Sequence, residues 1–227
     1  MSAMPEPHDA LRDPRMDTIP PVHVVIGGVG RGGLASSFRV AVAGVLRTVA
    51  TQRNMKVHVL SGLMVMIVGM ALPLDLSVRV SLLFSVSIVL FAEILNTALE
   101  ALIDLFVKDF HRLAMLAKDA AAGGVLVFAV TTVLVLADIL FTEWHLVEDN
   151  LDAVARSCLF GIPLVAVEAA GLFFVRRPAL QLLRLVVSGA LLAPLLVHST
   201  DPIFAIVAVV FVGMAAAARL YYLPRSA

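Results

Sequence analysis

The feature that most constrains this chain is a succession of apolar blocks, each close to the roughly 20 residues that a helix needs to cross a bilayer. The blocks fall at 57–72, 76–106, 120–141, 154–175, 179–197 and 203–220. Backbone amides in hydrocarbon find no water, so segments of this kind must satisfy their hydrogen bonds internally, as helices. The expectation is an all-α integral membrane protein. Hydrophobic residues make up 60% of the 227, against about 45–50% in a soluble domain. The single cysteine, Cys158, sits inside an apolar block, which excludes an internal disulfide and a cysteine-built metal cluster.

Residues 1–32 read as a flexible tail, with Pro5, Pro7, Pro14, Pro20 and Pro21 and a glycine cluster at 27–33. Within it, Gly28, Gly30 and Gly33 match a dinucleotide fingerprint. The strand–helix–strand unit that such a fingerprint requires is missing, so the stretch reads as a linker. These first residues are polar and contain no hydrophobic core behind a basic start, so no cleavable signal peptide is expected. From 34 to 53, Phe38, Val42, Leu46 and Val49 recur at helical spacing, interrupted by Arg39, Arg47, Thr51 and Arg53. That pattern predicts an amphipathic helix lying in the membrane interface or packed beneath the bundle. A polar connector is expected at 107–118 and an acidic loop at 143–152.

Charge sets the expected orientation. Formal net charge is zero, which favours neither nucleic acid nor an acidic surface as partner. With the N-terminus in the cytoplasm, every one of the 17 Lys and Arg residues except Arg79 and Arg156 falls on the cytoplasmic side. Basic residues are retained on that side. The reading is six spans with both termini cytoplasmic.

The candidate chemistry lies in the second span. Glu93, Asn96, Glu100 and Asp104 share one helical stripe: at about 100° per residue, Asn96 is some 60° from Glu93, and Glu100 and Asp104 about 20° to either side. Each charge inside a membrane helix costs about 2.5–3.5 kcal/mol on insertion scales, so such groups face the interior and usually function there. Two carboxylates with an amide between them suit a reaction that needs a base and a divalent cation such as Mg²⁺, which takes hard oxygen ligands. The competing explanation is a polar clamp between helices. Four polar groups in register favour chemistry.

The run Glu93-Ile94-Leu95-Asn96-Thr97-Ala98-Leu99-Glu100, continuing to Asp104, resembles the signature of the prokaryotic diacylglycerol and undecaprenol kinases. The stretch from His111 through Lys118-Asp119-Ala120 to Gly123 is similar to their second signature, and Ser37-Phe38-Arg39, Gly44 and Arg53-Asn54-Met55-Lys56-Val57-His58 also match. The resemblance covers about 37–141. It implies three spans per subunit, a homotrimer with active sites shared between subunits at the cytoplasmic face of the bacterial inner membrane, and ATP and a membrane lipid alcohol as substrates. By the same resemblance Glu93 is the general base. Glu100 ligates Mg²⁺, Asn96, Lys118 and Asp119 bind substrate or nucleotide, and Asp104 supports the site. His111 matches the pattern, but a histidine in a connector is more often structural. Family members carry a glutamate, a second metal ligand, where this chain has Gln52. Glutamine keeps the oxygen and loses the charge, so weaker metal binding is expected.

The chain thus divides into a tail at 1–32, a kinase-like membrane domain at 33–142 and a three-span extension of unknown role at 143–227. In the extension, Glu168 is expected to pair with a polar group on another helix, and His198, Asp201 and Asp138 have weak claims to function. The rival to a kinase is a kinase-like scaffold or lipid-binding protein, motivated by Gln52 and the extension. A transporter is a third reading, disfavoured because the two halves show no internal repeat.

Overall fold

The computed structural model describes residues 33–175 and 177–221. The expected tail at 1–32 with its glycine cluster, Arg176 and Arg225 lie outside the described residues. Every element among the described residues is an α-helix: α1 Leu34–Thr51, α2 Arg53–Ala71, α3 Leu76–Phe106, α4 Arg112–Thr142, α5 Trp144–Asp149, α6 Leu151–Phe173, α7 Pro178–Val197 and α8 Pro202–Tyr221. Residues up to Ala41 and residues from Val42 onward fall into two compact units. The described part of the first is the opening of α1, with mostly exposed side chains. All that follows concerns the second.

The helix boundaries correct the expected ones in three places. Gln52 interrupts the first helical run with φ −87° and ψ 127°, so α2 begins at Arg53. The connector after α3 is only 107–111, because α4 starts at Arg112 and takes in Lys118 and Asp119. Alanine, leucine, methionine and lysine dominate this stretch and are strong helix formers, with no breaker among them. The acidic loop contains the short helix α5. Among the described residues seven helices, α1 included, have the length and composition to cross a membrane; α1 is the least apolar of them, and the sequence reading lays it in the interface instead.

Helix α2 is the core. Met55, Val59, Leu63, Met66 and Met70 recur every three or four residues and are all buried, the stripe of a helix covered along its length. Phe204, Ala208, Phe211 and Ala215 of α8 form the facing stripe, with Leu164 and Leu172 of α6 beside them. Small residues let the backbones approach, as is usual between membrane helices. A Cβ at Gly69 would lie 2.7 Å from the Phe204 ring, and one at Gly161 2.6 Å from Ile67. By contrast, Val125 is the one buried residue of α4. The α3–α4 pair, joined by the Thr132 hydroxyl donating to the Ser85 carbonyl at 3.1 Å, therefore presents broad apolar flanks.

The turn between α7 and α8 is fastened to the turn between α2 and α3. The Thr200 amide donates to the Met70 carbonyl at 3.0 Å, and its hydroxyl to Leu72 at 2.9 Å. These bonds satisfy carbonyls that a helix end leaves orphaned. Asp201 caps α8, accepting from the amides of Ile203 at 2.7 Å and Phe204 at 3.2 Å, and pairs with Arg79 of α3. Burial alone would raise the Asp201 carboxyl, but Arg79 and the two amides outweigh it and hold the group below the ordinary carboxylate range.

Candidate active site

The stripe forms as its spacing requires. Glu93 is 2% exposed and Asn96 6%, while Glu100 is half-buried and Asp104 exposed. The stripe thus emerges from the protein interior along α3. The Asn96 side-chain amide donates to Glu100 Oε1 at 3.1 Å, which fixes the orientation of that carboxylate. Thr97 returns its hydroxyl to the Glu93 carbonyl at 2.9 Å, so it does not compete for the Glu93 side chain. Two acceptor atoms, Glu93 Oε2 and Asn96 Oδ1, are buried without a hydrogen-bond partner. Buried polar atoms are normally satisfied, so this orphaned pair calls for an explanation, as do the unpartnered atoms of Glu168, Gln181 and Arg184 between α6 and α7.

Asp104 holds the lower end of the site. Lys118 Nζ of α4 donates to Asp104 Oδ1, and Lys108 Nζ donates to the Asp104 carbonyl at 3.0 Å. The structure therefore brings Lys118 to the stripe. Asp119, also on α4, is exposed and makes none of the side-chain hydrogen bonds of the stripe. Gln52 is half-buried at the α1–α2 break and does not cap α2 with its side chain. His111 caps α4 in position only, without a side-chain bond.

The donors on this face are hard oxygens, the type that Mg²⁺ takes. Glu93 and Glu100 on one face, with unpartnered acceptor atoms on Glu93 and Asn96, match a cation that takes one or two carboxylates and completes its shell with phosphates and water. No group of three His, Cys, Asp or Glu side chains among the described residues could hold a metal without such help.

Sequence reasoning missed a second polar cluster, between α6 and α7. Glu168 Oε1 accepts from Ser188 Oγ at 2.6 Å, and its other oxygen faces Arg184 Nη1 at 3.4 Å, an ion pair without hydrogen-bond geometry. Gln181 donates to the Val175 carbonyl at 2.8 Å, and Arg219 of α8 to Gly171 at 3.0 Å. The expected polar partner of Glu168 thus exists on the next helix. The signal was available: Gln181, Arg184 and Ser188 fall at i, i+3 and i+7 of an otherwise apolar block. Asp201, whose sequence claim to function was weak, is a helix cap and the partner of Arg79.

An all-helical, multi-pass membrane protein with an unfinished carboxylate site at one helix pair is the class this structure defines. Residues 39–140 match the model of the family described as prokaryotic diacylglycerol kinase. Over 103 residues the chain is 43% identical to the diacylglycerol kinase of Synechocystis sp., a stretch that is 45% of this chain and 59% of that relative. It is 36% identical over 99 residues to the undecaprenol kinase of Bacillus subtilis, 44% of this chain and 80% of that one. It is 32% identical over 82 residues to the diacylglycerol kinase of Escherichia coli, 36% of this chain and 67% of that one. No solved structure matches the chain. The chain belongs to the prokaryotic diacylglycerol kinase family, whose named members are lipid kinases. The match spans most of α1, all of α2 and α3 and nearly all of α4, and ends before α5.

Proposed function

We propose that this protein transfers the γ-phosphoryl group of ATP to the hydroxyl of a membrane lipid alcohol, diacylglycerol or undecaprenol, at the cytoplasmic face of the bacterial inner membrane. The observation that carries the reading is Glu93: a buried carboxylate with one oxygen unpartnered, on the same face as a second carboxylate already oriented by Asn96.

In this reading Glu93 accepts the proton of the lipid hydroxyl. The freed oxygen attacks the γ-phosphorus and the bond to the bridging oxygen breaks. ADP leaves, and the proton held on Glu93 passes to water. Glu100 would hold Mg²⁺, which supplies charge neutralisation for the phosphates. Gln52 stands where the family has an anionic ligand, so its carbonyl oxygen contributes a weaker donor. Lys118, oriented by Asp104, presents its ammonium to the phosphates, with Asn96 and Asp119 as further binding groups. Phosphoryl transfer depends chiefly on such positioning and charge stabilisation. The exposed α3–α4 flanks fit assembly into a homotrimer in which neighbouring subunits complete the site. The distribution of Lys and Arg supports cytoplasmic termini.

The test is transfer of labelled phosphate from ATP with Mg²⁺ in micelles containing either lipid. Labelled product from the native protein, lost in Glu93→Gln, supports the reading, and the faster lipid is the substrate. Undiminished turnover of Glu93→Gln removes Glu93 as base. A folded native protein that phosphorylates neither lipid favours the second reading, a kinase-like scaffold or lipid-binding protein, for which Gln52 is the specific observation.

A further inference from the structure

Two charges at the outer end of the bundle have no counter-charge within their own chain. Asp138 of α4 and Arg156 of α6 are both exposed, and no ion pair among the described residues reaches either. Arg79, the cation of α3 at this end, is taken by Asp201. Asp138 is four residues from the end of α4 and Arg156 five from the start of α6, at ends that α5 joins. A rise of about 1.5 Å per residue sets them about 6 and 7.5 Å inside their helices, a matched depth. They nevertheless point apart. Leu140 of α4 and Cys158 of α6 line one apolar groove, and each charge lies about 160° around its helix from that lining residue.

Asp138 opens instead onto a groove of about 440 Å³ between α3 and α4. Ser77, Ser81 and Ser85 recur every four residues along the other wall. The Ser81 hydroxyl donates to the Ser77 carbonyl at 2.8 Å, which leaves its oxygen free to accept. A carboxylate across from hydroxyl oxygens fits a guanidinium, which carries five N–H donors and no acceptor. Arg156 presents one at the right depth, on a different face of the molecule.

The flanks of the two charges agree in register. Inward from Asp138, Leu134, Thr131 and Val127 continue one exposed stripe of α4. Inward from Arg156, Leu159, Pro163 and Ala166 continue an exposed stripe of α6. The steps are 4, 7 and 11 residues on α4 and 3, 7 and 10 on α6, and the two helices run in opposite directions. With the charges opposed, leucine meets leucine, Thr131 meets Pro163 and Val127 meets Ala166. Thr131 and Ala166 are small enough for close approach of membrane helices. Asp152, one turn outward of Arg156, lies in the first turn of α6, where the helix dipole favours a carboxylate.

We propose that these stripes dock on one another between two copies of this chain, Arg156 of one copy entering the α3–α4 groove of the next to pair with Asp138. The two faces differ, so the contact is heterologous and repeats head to tail until a ring closes. Helix α6 lies beyond the family-matched residues 39–140, so the extension supplies one side of the contact. The docking requires the self-association in the proposed function and none of its chemistry.

The test uses the full chain with Cys158→Ser, which removes its single native cysteine. Chains carrying Leu134→Cys under one affinity tag and Leu159→Cys under another are coexpressed, and the membranes are oxidised. The expected product is a disulfide-linked species bearing both tags, absent when Val133→Cys, a step around α4, replaces Leu134→Cys. The second measurement is light scattering in detergent. Asp138→Arg raises the protein concentration for half-assembly by about tenfold or more, because like charges then face each other, and Asp138→Arg/Arg156→Asp restores the native value. An oligomer of native size without the 134–159 link means that the groove faces lipid; it overturns this docking and leaves self-association standing. A native chain that is monomeric overturns both. A link formed within one chain, or a charge reversal that the double variant does not rescue, also overturns the docking.

Discussion

Two helices of this protein bury a glutamate, and the two sites are built differently. On α3, Glu93 has one oxygen without a partner, and its polar neighbours Asn96 and Glu100 come from its own helix. On α6, Glu168 is wholly buried and is answered from α7 by Ser188 and Arg184. The second site holds its own counter-charge, although Glu168 Oε2, Gln181 Oε1, Arg184 Nε and Arg184 Nη1 lack hydrogen-bond partners; among the described residues no side chain of another helix pairs with Glu93. Burial of a carboxylate in a membrane helix therefore does not by itself distinguish chemistry from architecture. What distinguishes them is whether another helix supplies the counterpart.

The largest expected effect separates the two sites by activity. Glu93→Gln lowers phosphoryl transfer by about 10²–10⁴-fold, the usual contribution of a general base, with the unfolding midpoint unchanged. A variant that instead unfolds early would make Glu93 architectural, like Glu168. Next comes stability. Glu168→Leu leaves Arg184 buried without its partner and costs about 3–5 kcal/mol, while the double variant Glu168→Leu/Arg184→Leu regains most of that loss. Thermal unfolding of the single and double variants gives the coupling, and additivity would mean the pair does not act as a unit. Activity per folded molecule stays near native in the double variant.

A smaller effect lies at the α7–α8 turn. Asp201→Asn keeps the cap but loses the charge facing Arg79, at a cost of about 1–2 kcal/mol, modest because Arg79 is partly exposed. The Asp201 carboxyl is held below its ordinary value. Its stabilisation is therefore fully present above the unfolded value of about 3.9 and disappears as pH falls through the lower folded value. The gap between native and variant melting curves should accordingly close under acid. A gap constant down to low pH would mean that the charge on Asp201 contributes nothing. The smallest effect is Gln52→Glu, expected to lower the Mg²⁺ concentration for half-maximal activity by a few-fold, since an added carboxylate suits that cation. An unchanged titration would place residue 52 outside the metal's reach.

What was legible in the sequence follows from local periodicity. The apolar blocks give the helices, because bilayer thickness fixes their length. The stripe on α3 is readable because i, i+3 and i+7 share a face whatever the tertiary fold. Partners contributed by a different helix were harder to read. Lys118 meets Asp104 across a tight turn, and Arg79 meets Asp201 across 122 residues; charge counting put both members of the latter pair at the same end of the bundle and could not join them. Helix α5 was hidden by its acidic side chains, and the early start of α4 by the family's polar motif, which reads as loop when charge is weighed above helix propensity.

The fastening of Thr200 to the carbonyls of Met70 and Leu72 joins groups about 130 residues apart. A ribosome adding 5–20 residues per second needs on the order of ten seconds to make that intervening stretch. The α2–α3 turn therefore enters the membrane without its bonds from Thr200, the Leu72 carbonyl holding only the Leu74 amide, and stays so until the last hairpin arrives. The family-matched core is assembled early, and its tie at this end comes last.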